Sequence, residues 1–112
     1  MLTYTKNKID GGLTMVKHII LWKLKEEFNN DEVKRGIKEG IEGLLGVIPG
    51  LLEIKVQTEK LATSNVDVML YSVFENEKAL AEYAEHPAHV EVADTKVRPF
   101  TQNRACIDYV EN

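Results

Sequence analysis

Apolar and polar positions alternate along Val16 to Leu24 (VKHIILWKL). Val16, His18, Ile20, Trp22 and Leu24 share one side, and Lys17, Ile19, Leu21 and Lys23 share the other. A period of two is that of a β-strand. Both sides carry bulky apolar groups at their centre, so this strand has to be covered on both faces. The period then changes. Asn30-Asp31 signals a helix start, with Asp31 as the expected cap. Val33, Ile37, Ile41, Leu44, Leu45 and Ile48 fall within about 120° of one another on a helical wheel, a buried stripe. Gly36, Gly40, Gly43 and Gly46 lie beside that stripe. Each costs about 1 kcal/mol against alanine in a helix interior, so they predict either close approach of another backbone or a partly frayed helix. Pro49-Gly50 ends the helix.

Leu51 to Thr58 reads as a second strand, with Leu52, Ile54 and Val56 alternating, followed by a polar turn over 59–65. Val66 to Phe74 is a third strand, again apolar on both sides: Val66, Val68, Leu70 and Phe74 on one, Met69, Tyr71 and Val73 on the other. Asn76 caps a second helix through Tyr83, with Ala79, Leu80 and Tyr83 turned inward. Pro87 suits a first helical position and opens a short helix to about Val97. Pro99 stops it, and Thr101 to Val110 is the last strand.

The order βαββα(α)β is the split βαβ pattern of a ferredoxin-like α+β fold: a four-stranded antiparallel sheet with helices on one face. The other face is apolar here, and on a monomer it would be a large exposed patch. The pattern therefore predicts a homodimer in which two such faces meet and close a dimeric α/β barrel. There is no repeat and no linker, so residues 15–112 form one domain. Residues 1–14 (MLTYTKNKIDGGLT) are polar and are expected to be a flexible extension ahead of a native start at Met15.

Composition excludes several classes of function. The 112 residues, 44% hydrophobic and 29% charged, suit one ordinary globular domain. The net charge of −4, with no basic run, gives no footprint for nucleic acid or for an anionic membrane surface. No apolar run reaches the ~18 residues of a membrane span, and 1–14 lacks the apolar middle of a signal peptide. A single cysteine, Cys106, precludes an intramolecular disulfide and fits a reducing, cytoplasmic setting. It is expected to be buried and inert.

Candidate chemistry rests on His18, His86 and His89, because histidine titrates near neutrality. Tyr83 precedes His89 by six residues. His86 and His89 are three apart but would need a third ligand such as Glu85, Glu91 or Asp94, and His86 lies at or before the helix start. No metal site is expected. Each residue also has a structural reading. His86 can cap the short helix, and His89 can hold a backbone carbonyl. Tyr83 can be a core ring, and His18 a satisfied core histidine beside Trp22.

Four segments together, VKHIILWKLK, IPGL at 48–51, YAEHPAHVEV at 83–92 and IDYV at 107–110, resemble the stress-responsive A/B barrel (Dabb) family from Met15 to the end of the chain. The resemblance implies a dimeric α+β barrel. That family includes plant stress-associated proteins, plant polyketide cyclases that close a ring by aldol chemistry without a cofactor, and bacterial members of no known activity, which this chain is most similar to. By resemblance to the cyclases, Tyr83 and His89 match the catalytic tyrosine and histidine, and His18 matches a strand histidine of the same pocket. Trp22 and His86 are further ligand-binding candidates. No cofactor is implied. Three functions follow: a small-molecule binder or cofactor-independent cyclase with a pocket in each protomer; a stress-protective dimer filled by its own side chains; or a relative of cofactor-free oxygenases. Trp22, Met69, Leu70, Tyr71 and Phe74 discriminate the first two. Placed on the helix side they fill the pocket; placed at the dimer centre they leave room near His89.

Overall fold

The structure is a computed structural model that describes residues 15–111. The expected extension at 1–14 lies outside the described residues. Four strands, β1 (Val16–Leu24), β2 (Leu51–Gln57), β3 (Val68–Phe74) and β4 (Thr101–Val110), form one antiparallel sheet in the order β2-β3-β1-β4. The helices are α1 (Asp31–Glu42), α2 (Glu77–Glu85) and α3 (Pro87–Val92). This is the ferredoxin-like α+β topology expected from the sequence pattern.

The alternation in β1 resolves cleanly. Val16, His18, Ile20, Trp22 and Leu24 are buried beneath the helices, while Lys17, Ile19 and Leu21 are half-buried on the opposite face. Val68, Leu70, Ser72 and Phe74 of β3 join the helix side, with Ile54 and Val56 of β2. Ile37 and Ile41 of α1, Leu44 and Ile48 after it, and Ala79 and Tyr83 of α2 complete the core. The opposite face carries Ile19, Leu21, Met69 and Tyr71, continued by Ala105, Ile107 and Tyr109 of β4. Ile107 is 59% exposed.

Several local expectations are corrected. The first helix ends at Glu42, not at Ile48, and Leu45 is half-exposed rather than in the stripe. The cause lies in the glycines: residues 43–47 leave helical geometry, and Gly46 takes φ +91, a left-handed conformation that glycine tolerates. Asn30, not Asp31, is the cap; its side chain accepts from the Val33 N–H. Gly40 marks a close approach, but by side chains. A Cβ there would lie 3.1 Å from Val92 Cγ1 and 3.4 Å from Lys96 Cγ. In β2 the register shifts between Leu51 and Glu53, so Leu51 takes the buried position and Leu52 is only half-buried. The third strand begins at Val68, two residues later than expected.

Asp67 ties these elements together. Buried just before β3, its carboxylate accepts from the Leu24 N–H at 2.8 Å and from Lys60 Nζ at 2.7 Å. Burial opposes its charge, but the Lys60 and Leu24 hydrogen bonds outweigh that and hold its pKa below the usual carboxylate value.

Candidate functional site

The site begins with the junction between α2 and α3. Ala79 and Tyr83 are four apart and so share the buried face of α2. His86 precedes Pro87, and the proline ring disfavours a helical conformation there. His86 is accordingly extended at φ −66, ψ 133, and the chain bends. Its ring then caps α3, with Nδ1 accepting from the Ala88 N–H at 3.0 Å. The bend carries His89 back over the last turn of α2, where carbonyls lack an intrahelical partner. His89 Nδ1 lies 3.2 Å from the Ala84 carbonyl oxygen. Only an N–H can bond a carbonyl, so Nδ1 carries the proton and Nε2 keeps its lone pair.

The ring of His89 lies against that of Tyr83, centroids 4.2 Å apart, and Tyr83 meets His18 edge-on at 6.0 Å. Phe74 backs both Tyr83 and His18. After α3 the chain continues as one π-helical turn, Ala93–Val97, of the kind often found beside functional sites. Val92, Ala93 and Val97 face inward from this stretch.

Between these elements and the β1–β4 half of the sheet lies a cavity of about 560 Å³. Tyr83, His89, His18 and Trp22 line it, four of the residues expected from the sequence. His86 is not among the lining residues; its ring is used as the α3 cap. Trp22, Leu70 and Phe74 lie on the helix side, and Met69 and Tyr71 on the other, so the bulky set is divided and the cavity remains.

Burial pushes the Tyr83 phenol up to about 12, partly opposed by Arg104, so the hydroxyl keeps its proton at neutral pH. Burial pushes His89 below its ordinary 6.5, and the charges of Arg98 and Arg104 act in the same direction, against the bond to Ala84. At neutral pH the site thus holds a neutral imidazole base beside a protonated phenol.

Arg104, Cys106 and Asp108 of β4 also line the cavity. Asp108 pairs with His18 in the strand register, and its Oδ1 lies 2.5 Å from His18 Nδ1. Asp108 and Arg104 were not expected as site residues. The alternation of β4 places Arg104, Cys106 and Asp108 on one face, but only the pairing with β1 shows that this is the face of His18. Cys106 corrects a further expectation: it is exposed at the cavity wall, not buried. Partial desolvation at the cavity wall and the charge of Asp108 push its thiol pKa up, which keeps it protonated in this structure. The one group of three described residues that gathers metal-ligating atoms is His18, Cys106 and Asp108. Among the described residues, no third metal-ligating group gathers with His86 and His89.

The model of the stress-responsive A/B barrel domain matches residues 16–111. The chain belongs to this family. Olivetolic acid cyclase of Cannabis sativa is 28% identical over 97 residues, covering 84% of this chain and 94% of the relative. A dimeric ferredoxin-like protein of unknown function from Bacteroides fragilis is 34% identical, with a TM-score of 0.79, covering 87% of this chain and 96% of that one. A hydroxynitrile lyase from Passiflora edulis superposes with a TM-score of 0.76 over 88% of this chain and 94% of its own, but at 17% identity it shows the fold alone. No described helix of this Dabb chain is long and apolar enough to cross a membrane.

Proposed function

We propose that this Dabb protein is a homodimer that binds a small apolar, carbonyl-bearing molecule in each protomer and closes a ring in it by cofactor-independent aldol chemistry. The observation that carries this reading is the convergence of a neutral His89 and a protonated Tyr83 on a largely apolar cavity of about 560 Å³. That volume is within the range of small-molecule sites. His89 Nε2 takes a proton from a carbon flanked by two carbonyls. The resulting carbanion attacks a distant ketone of the same chain and forms the new C–C bond. The alkoxide produced is stabilised by the Tyr83 hydroxyl and recovers the proton from His89. His18, held by Asp108, and Trp22 shape the wall. The relative named as a cyclase is consistent with this chemistry.

A cavity of this size argues against a barrel filled entirely by its own side chains. The oxygenase reading rests on fold likeness alone, and one fold serves many chemistries.

The reading is tested by a thermal-shift screen of aromatic and poly-β-keto compounds on chelator-treated protein. A ligand at about 100 times its dissociation constant adds ~2.7 kcal/mol, a rise of several degrees in a domain of this size. His89→Ala and Tyr83→Phe should fold and lose turnover, and His89→Ala should weaken the shift. Turnover unchanged in both variants would refute the assignment.

A further inference from the structure

Donor atoms from two neighbouring strands meet at the wall of the cavity formed by β1 and β4. His18 Nδ1 lies 2.5 Å from Asp108 Oδ1 and 3.9 Å from Cys106 Sγ, and that sulfur lies 3.6 Å from the same carboxylate oxygen. We propose that His18, Cys106 and Asp108 form a binding site for a borderline-soft divalent cation, Zn²⁺ before others, with a free coordination position toward the cavity. The proposal does not depend on the ring-closing reaction.

An imidazole nitrogen, a thiolate and a carboxylate are the three ligand types that zinc takes. A sulfur in the set disfavours Mg²⁺ and Ca²⁺, which prefer oxygen alone. Thiolate and carboxylate together balance a charge of two. Cys106 and Asp108 are alternate residues of β4 and so share a face. His18 is the cross-strand partner of Asp108. The hydrogen-bonded ladder therefore fixes all three Cα positions without help from a loop. Metal–ligand bonds of about 2.0–2.3 Å in a tetrahedron separate their donors by roughly 3.3–3.7 Å. Both sulfur distances are close to that range. Only the His18–Asp108 contact has to open, and a rotation of the Asp108 side chain, 43% exposed, supplies it.

Arg104 also faces the thiol. It favours the thiolate and, being exposed, is free to swing aside. When the ion binds, Cys106 releases its proton to solvent, and the proton that His18 Nδ1 otherwise donates to Asp108 passes by way of solvent to Nε2, which frees the Nδ1 lone pair for the ion. With three protein ligands, the fourth position is left for water or a ligand oxygen.

The test is a Co²⁺ titration of the chelator-treated full chain. Because Cys106 is the sole cysteine, a sulfur-to-cobalt charge-transfer band reports on this position alone. We expect the band to saturate at one ion per chain, to be displaced by Zn²⁺ and to vanish in Cys106→Ser. Asp108→Asn and His18→Gln should each weaken Zn²⁺ binding at least about tenfold, with circular dichroism confirming that each variant folds. Absence of the band in the wild type would overturn the proposal. So would a band whose titration is unchanged in both Asp108→Asn and His18→Gln, since the thiol would then be binding cobalt alone.

Discussion

Three constraints hold His89: a bond from Nδ1 to Ala84, a ring face on Tyr83, and burial that keeps it neutral. Its pKa in the folded chain is below the unfolded value, so the folded state binds fewer protons. The stabilisation this gives is complete above pH ~6.5 and is lost as the pH falls through the folded pKa. Denaturant unfolding followed from neutral pH down to about pH 5 should therefore show stability falling more steeply in the wild type than in His89→Gln. Equal slopes would mean that His89 is not held neutral by the fold. The same protonation should set the acid limb of any turnover. With Tyr83 near 12, the rate should stay flat well into the alkaline range.

The turn between α1 and β2 shows how two glycines with the same backbone need serve different ends. Gly46 has φ +91 with open space around it, whereas Gly50 has φ +83 and would place a Cβ 2.6 Å from Ala79 Cβ in α2. Gly46→Ala should cost about 1–2 kcal/mol, the strain of a left-handed alanine. Gly50→Ala should cost at least ~1 kcal/mol more, because α2, which carries Tyr83, has to move. Urea midpoints measure both. Equal losses would show that α2 gives way freely at Ala79. The order of elements was legible in the sequence at this scale because hydrophobic period and proline–glycine punctuation are local signals. The end of α1 was not, because Leu44 and Ile48 do reach the core, through turns that imitate a helical stripe.

For the whole molecule, the decisive feature is the sheet face away from the helices. Ile19, Leu21, Met69, Tyr71 and Ile107 form an apolar surface there, and the Bacteroides fragilis relative is dimeric. A charge placed at the centre of that face would be desolvated on pairing. Ile19→Glu, Met69→Glu and Ile107→Glu should each give monomers or unfolded chains in analytical ultracentrifugation. Three folded dimers would rule out the face-to-face arrangement.

The sequence by itself determined the βαββαβ order and the two-sided strands that call for a partner, while its four matching segments pointed to the family. The order and the two-sided strands are consequences of side-chain period, whereas a pocket shared by Tyr83, His89 and His18 joins residues far apart in the chain and was implied by the family resemblance alone. The tertiary structure alone decided that a cavity survives beside Trp22, that His86 is spent on capping α3, and that Asp108 and Cys106 stand against His18. Pairing between β1 and β4 joins residues ninety positions apart, and a shift of one residue in that register would turn every β4 side chain to the other face. Register is fixed by the packing of the whole sheet, which no local pattern records.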